Sequence, residues 1–351
     1  MTSQHSLLFS PFNPLKVLYY RDRIEKLLNG EICDPVMVSF DFSNPCNHRC
    51  KWCAWIKHRM EEGGFLKREV LEDVIDSLKV MDIRGWEVCG GGEPLLHRES
   101  HSFLKLLNET GRPILLVTNG SFLTEEDAKN CRTIRISLDA GTRWTHEALH
   151  GSNDWDKILE NIKKASKITR VGVGFLIHPE NYKEIPIFTR LCKYLGAQFV
   201  HIRPCFTDYP IVRDQVGFNW FTWSKHYEEE IQWYLSLAKG YEDNSFKVYT
   251  TFYKVMPKKW LFKKCYALTL NPLISPTGGV WICCERRGVK RSLIGTIGKD
   301  GTFYDIWYSK RHEELIENLP NRLCPLKCKY AGYNRAIHEA YIEKSLDLEW
   351  I

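Results

Sequence analysis

Thirteen cysteines are many for a chain of 351 residues, and they are unevenly placed. Cys46, Cys50 and Cys53 fall together in NPCNHRCKWCAW, spaced C-x3-C-x2-C. Three thiolates in one short loop can grip one face of a four-iron cube, which wants four ligands. Three protein ligands leave one metal position open, and an open position is what catalysis needs. The same thiols also suit zinc completed by His48 or a distant cysteine, or plain burial. A second group runs from CYALTLNPLISPTGGVWICCERRG to LCPLKCKY. Its candidate ligands are Cys265, Cys283 or Cys284, Cys324 and Cys328. Four thiolates would close a metal centre, and the spacing also allows a structural zinc. The PTGG turn predicts a hairpin whose second arm delivers a cysteine. Cys283 and Cys284 then point to opposite faces, so only one meets the centre, and Cys283 is favoured.

A loop that holds metal needs a frame. From about residue 36 to 205, short β-rich runs alternate with helical periods. The predicted strands are 36–42 (VMVSFDF), 85–89 (GWEVC), 113–117 (PILLV), 133–139 (TIRISLD), 171–177 (VGVGFLI) and 198–204 (QFVHIRP). Several are almost wholly apolar, as parallel strands covered on both faces are. Amphipathic helices are predicted over 67–81, over 153–168 with Asn153 as cap, and from about Ile185. The pattern implies an α/β fold, a right-handed (β/α)6 partial barrel, with ligands at the carboxyl ends of its strands. GGGEP follows the second strand, Asn119 the third, ISLDA the fourth and HIRP the sixth. Glycines let a backbone approach a ligand, and a carboxylate answers an ammonium. Four segments are expected. They are an N-terminal extension (1–35), the core (36–205), an aromatic-rich connection (206–262) with a helix around 223–238, and a small cysteine-bearing module (263–351) ending in a helix.

The first cysteine motif, with Trp52 before its last cysteine, resembles the signature of the radical S-adenosylmethionine (SAM) superfamily. Gly91, Gly92, Glu93 and Pro94 are similar to that family's motif for the amino group of SAM. ISLDA resembles its ribose-contacting segment, which nominates Ser137 and Asp139. VGVGFLI resembles its adenine-side motif, with His178 where a glutamate is expected. HIRP resembles the segment that stacks on adenine, which nominates Ile202, and Asn119 stands at another mouth position. The pattern Cys265-x12-Gly278-x4-Cys283 resembles the auxiliary-cluster module of the SPASM and twitch subfamilies. With four or five usable cysteines, the chain resembles the shorter twitch version, with one auxiliary four-iron cluster.

The resemblance implies two 4Fe-4S clusters, SAM, and an electron from a flavodoxin or ferredoxin. The implied 5′-deoxyadenosyl radical abstracts a hydrogen atom from substrate. Twitch-type dehydrogenases point to a small molecule (a sugar, aminocyclitol or nucleoside) that is dehydrogenated or epimerised. Maturation of a ribosomally made peptide is the second reading. About 35 residues precede the first strand, fewer than a typical recognition domain has. In radical epimerases a thiol returns a hydrogen atom, which nominates Cys205, Cys89 and Cys284. A non-catalytic zinc scaffold would keep the cysteines but has no use for GGGEP.

Composition sets the outer limits. With 44% apolar and 26% charged residues the chain is globular, not disordered. No apolar run is long enough to span a membrane, and the N-terminus lacks a secretory signal, so the cytoplasm is expected. A net charge of +6, scattered along the chain, gives no case for nucleic acid. Anaerobically reconstituted protein is expected to hold about eight irons, measured by iron analysis; zinc without iron would exclude both clusters.

Overall fold

The computed structural model describes residues 10–55, 63–205, 217–252, 262, 264–319, 324 and 328–342. Its strands are β1 Met37–Asp41, β2 Gly85–Cys89, β3 Ile114–Thr118, β4 Thr133–Ser137, β5 Arg170–Ile177. They continue as β6 Phe199–Pro204, β7 Lys247–Thr250, β8 Leu273–Ile274, β9 Gly279–Trp281 and β10 Leu293–Thr296. The helices used below are α1 Arg21–Leu28, α2 Arg68–Asp76, α3 Ser100–Glu109, α4 Arg143–His150 and α5 Trp155–Ala165. They continue as α6 Ile185–Tyr194, α7 Trp220–His226, α8 Glu228–Lys239, α9 Phe303–Trp307 and α10 Ala331–Ile337. Among the described residues, no helix is long and apolar enough to cross a membrane.

The chain divides into two compact units. One holds residues 40–66 and 85–252. In it the end of β1 and then β2 to β7 lie side by side in sequence order. From β2 to β7 each neighbouring pair is parallel. Parallel neighbours require a crossover at each step, and such crossovers are right-handed. The result is a partial (β/α) barrel. Its core is aromatic and aliphatic: Phe40 packs on Trp86 at 5.8 Å between ring centres, and Phe42 meets Phe103 of α3 edge-on at 5.4 Å. Gly172 of β5 matters for this packing. A side-chain carbon there would stand 2.0 Å from the ring of Phe199 on β6.

Strand β7 continues the sheet beyond the six strands expected; its four residues are too few to show a period. The helix expected around 223–238 is two helices, α7 and α8, that part at Tyr227. Asn153 is not the cap of α5, which starts at Trp155 with Asp154 at the N-cap position and no side-chain cap bond.

The second unit holds residues 1–39, 67–84 and 253–351. Val17, Ile24 and Leu27 around α1 form one apolar cluster with Tyr266, Leu270, Ala336 and Ile337. The buried guanidinium of Arg23 donates to the carbonyls of Asp34 and Asp82 and to the Asp82 carboxylate. Asp73 of α2 accepts from the backbone N–H of Phe303, at the start of α9. Strands β8 and β9 are the expected hairpin, with Gly278 at φ 81° in its turn, and β10 pairs antiparallel with β9. This division differs from the segments read along the sequence. Residues 10–35 and α2 pack with the C-terminal residues, because an amphipathic face does not name its partner. Parts of the expected 206–262 connection and the end of the terminal helix lie outside the described residues.

Gly172→Ala is expected to cost about 1–3 kcal/mol by overpacking, read as a lower urea midpoint. Adding Phe199→Leu, which removes the opposing ring, should restore part of the loss.

Candidate active site and metal centres

The loop bearing Cys46, Cys50 and Cys53 follows β1, and two neighbours clamp it. The first clamp is the glycine-rich loop after β2. Gly92 N–H donates to Ser43 O at 2.9 Å, and Glu93 N–H donates to Pro45 O at 2.9 Å. A side-chain carbon on Gly92 would lie 1.9 Å from Pro45 O and 2.2 Å from Asn44 O. The glycine is therefore required by backbone meeting backbone. Glu93 itself turns inward and is 2% exposed. Its carboxylate accepts from Thr118 Oγ1 at 2.6 Å, Asn119 N at 2.7 Å and Leu95 N at 3.1 Å. Burial pushes its pKa up, and the three donors oppose this. Pro94 opens a single 3₁₀ turn, Pro94–Leu96, capped by Glu93. Asn119 Nδ2 donates to Asn47 Oδ1 in the cysteine loop at 2.8 Å, while its Oδ1 accepts from Ser121 N at 2.9 Å.

The second clamp is the carboxyl end of α4. Helix ends leave carbonyls without partners. Here Arg49 N–H donates to His150 O at 2.8 Å and Lys51 N–H to Leu149 O at 3.0 Å. Below the loop lies a layer of imidazoles. His150 Nδ1 is 3.5 Å from Cys50 Sγ and 3.2 Å from His48 Nδ1, and its Nε2 is 3.1 Å from Asp139 Oδ2. His48 Nε2 reaches Ser121 Oγ at 3.0 Å and Asp154 Oδ2 at 3.3 Å. His146 stacks on His150 at 4.5 Å, and burial lowers its pKa to about 4. Burial pushes the Cys50 thiol up, but His150 and His48 outweigh it and hold the thiol at about 6. A lowered thiol pKa favours the thiolate that metals bind. The ligand atoms of His48, Cys50 and His150 all lie within 4.8 Å of one another.

Asp139 has φ 55°, the left-handed value that aspartate tolerates better than most side chains. Its Oδ1 accepts from Leu176 N at 2.6 Å and its carbonyl from Asn181 Nδ2 at 2.8 Å. Its carboxylate is thus committed to β5 and His150. Ser137 ends β4, half-buried, and Ile202 is fully buried within β6. Gly91 is buried beside Gly92. Of the nominated hydrogen donors, Cys89 is partly exposed and its thiol donates to Asp41 Oδ1 at 3.4 Å. Cys205 is buried just after β6, and Cys284 lies in the other unit, beside Cys283. The residues missed in the sequence are His146 and His150. Their four-residue spacing on one helix was the available signal.

The second cysteine group lies wholly in the other unit. Asn334 Nδ2 donates to Cys265 Sγ at 3.0 Å, Tyr330 N–H to Cys328 Sγ at 3.3 Å and Arg286 Nη1 to Cys324 Sγ at 3.3 Å. Cys283 is buried; a hydrogen bond with Cys284, burial, and the nearby sulfurs of Cys284, Cys328 and Cys265 push its thiol up. Sulfurs that accept N–H bonds are the surroundings iron–sulfur thiolates have.

Residues 40–192 match the family described as the Radical SAM superfamily. Over those residues the chain is a radical SAM domain. Radical SAM proteins use a 4Fe-4S cluster and SAM, and the cysteine loop just described falls inside the matched residues. A probable GTP 3′,8-cyclase of Saccharolobus islandicus is 30% identical over 167 residues, 45% of this chain and 53% of that protein. The chain thus spans about half the length of those curated relatives. The mycofactocin maturase MftC of Mycobacterium tuberculosis is 23% identical over 303 residues, 82% of this chain and 72% of that protein. The crystal structure of Streptococcus suis SuiB bound to precursor peptide SuiA shares the fold with a TM-score of 0.66. It is 15% identical, and the likeness covers 90% of this chain and 74% of SuiB.

Gly92→Ala is expected to push the glycine-rich loop off Pro45 and to cut the iron held by the radical SAM loop, seen as lost visible absorbance and iron. Gly174→Ala, whose added carbon would meet only Ile136 O at 3.6 Å, should keep the wild-type iron content.

Proposed function

We propose that Cys46, Cys50 and Cys53 hold a 4Fe-4S cluster with one iron left for SAM, and that the enzyme abstracts a hydrogen atom from substrate. The observation that carries this reading is the double clamp on the cysteine loop. Its backbone is fixed by Gly92 and Glu93 on one side and by the end of α4 on the other. A three-ligand site keeps its open position only if the loop cannot fold over it. Bound there, the reduced cluster supplies the electron that splits SAM into methionine and a 5′-deoxyadenosyl radical. A flavodoxin or ferredoxin would deliver that electron.

The chain's own residues divide the remaining work. Gly91, Gly92 and Pro94 bring backbone to the amino-acid end of SAM, the Glu93 carboxylate being spent on β3. Ser137 and Ile202, on β4 and β6, serve the nucleoside end. Asn119 and Asp139 act as positioning residues, through Asn47 and His150. In the C-terminal unit, Cys265, Cys283, Cys324 and Cys328 close an auxiliary 4Fe-4S cluster that accepts an electron.

The substrate is better read as a peptide than as a small molecule. The cyclase relatives match 45% of the chain, so they speak for radical formation. MftC, named a maturase, matches 82% of it, and SuiB was crystallised with a precursor peptide. Relatives that extend over both units bear more on what the second unit is for. This reverses the order of preference drawn from the twitch resemblance and the short segment before the first strand.

Reduced holoenzyme is expected to convert SAM to 5′-deoxyadenosine, and Cys53→Ala to abolish this. A short peptide encoded beside the gene should speed the reaction. It should emerge either lighter by a pair of hydrogens or, in heavy water, carrying deuterium at unchanged connectivity. Stimulation by sugar nucleotides alone would replace the peptide reading with the small-molecule one. Full activity in Cys53→Ala would remove the catalytic assignment.

A further inference from the structure

Among the described residues of the C-terminal unit, Cys265, Cys324 and Cys328 accept N–H bonds from donors of different kinds. Tyr330 gives a backbone N–H, two residues after Cys328. Asn334 and Arg286 give side chains, which the chain could vary freely.

Asn334 lies on α10 and is fully buried. Its Oδ1 accepts from two backbone amides, Tyr266 N at 2.8 Å and Ala267 N at 2.9 Å. Those two donors fix which end of the amide is oxygen. The NH2 group therefore faces Cys265 Sγ, at 3.0 Å. An amide nitrogen only donates, so the sulfur must accept. The donor suits a thiolate at Cys265, a stronger acceptor than a thiol.

Arg286 is 3% exposed. Its Nε donates to Ser292 Oγ at 2.6 Å, which sets the plane of the guanidinium and aims Nη1 at Cys324 Sγ. Arginine keeps its charge even when buried, and a buried charge needs an opposite one. A thiolate on a cluster supplies it. Cys265, Cys283 and Cys328 are also buried. Burial by itself would favour protonated thiols, so a fixed cation and an oriented amide offset the cost of gathering thiolates there.

We propose that Asn334 and Arg286 set the reduction potential of the auxiliary cluster through N–H···S bonds to Cys265 and Cys324. This rests on the auxiliary-cluster reading above. Reduction adds one negative charge to a cluster. Donors and a cation stabilise the reduced form more than the oxidised form, so they raise the potential. A zinc staple has no such state to stabilise. The arrangement makes the second centre an electron acceptor, not only a clasp for the module. Both are positioning residues, acting through the cysteines.

The test is an EPR-monitored redox titration of reconstituted full-length protein. Asn334→Asp keeps an oxygen for the Tyr266 and Ala267 amides but puts oxygen, not NH2, against Cys265. Arg286→Gln removes the cation. Each is expected to shift the auxiliary signal to lower potential, with the potential of the radical SAM cluster unchanged as an internal control. An unchanged auxiliary potential in a variant that retains wild-type iron overturns the inference and leaves the cluster reading standing. Loss of the second cluster in both variants overturns it too, making these residues determinants of assembly. Wild-type protein with only one cluster, or with zinc in the C-terminal unit, overturns the cluster reading itself.

Discussion

One tight backbone approach, at Gly92, governs much of what surrounds it in the radical SAM unit. Pro45 O and Asn44 O lie so near the α-carbon of Gly92 that no side chain can begin there. That contact joins the loop after β1 to the loop after β2, and other positions follow from it. Glu93 N–H reaches Pro45 O because Gly92 N–H reaches Ser43 O one residue earlier. With its backbone so placed, the Glu93 side chain turns into the barrel and meets Thr118 and Asn119 at the end of β3. Asn119 then turns back to Asn47, inside the cysteine loop. The ring of contacts closes on the loop that it holds, so the loop's shape is set by three strand ends at once.

The two cysteine groups are built on opposite plans, and the physics of each matches its proposed task. Cys46, Cys50 and Cys53 are all partly exposed. Their support comes from below, from backbone and from the His48 and His150 layer. An open coordination position needs a loop held rigidly from one side and left clear on the other. In the C-terminal group three of the four proposed ligands are buried, and polar donors point at the sulfurs. There the cost of burying negative charge dominates, and Arg286 and Asn334 answer it. Exposure suits binding of a cosubstrate, whereas burial with oriented donors suits electron transfer.

Much of the frame was legible in the sequence for plain reasons. Several of strands β2 to β6 are nearly continuous apolar runs, and their order allows few topologies. The cysteine spacing and GGGEP are local patterns that survive without knowledge of the fold. What stayed hidden depends on contacts distant in sequence. His150 stands 100 residues from Cys50, and Asn334 stands 69 residues from Cys265. Strand β7 is short, and it is a strand because β6 offers it an edge. The division into units was hidden likewise. An amphipathic helix such as α2 shows a face but not what covers it.

The carboxylates at two of the strand ends already have internal partners. A glutamate after two glycines, near a site for an ammonium group, invites direct pairing. The structure spends that carboxylate on three internal donors, one of them the backbone of the next strand's loop. Asp139 behaves the same way: nominated for ribose, it holds His150 and the backbone of β5. Both acids stand just past the carboxyl end of a parallel strand, where the chain leaves the sheet and its N–H groups lose their ladder partners. A buried carboxylate satisfies several such groups at once, where a neutral side chain satisfies fewer. The acids at the mouth of this barrel are therefore best understood as the fastenings of its loops. The backbone those fastenings hold in place includes Gly92, where Pro45 O and Asn44 O leave no room for a side chain.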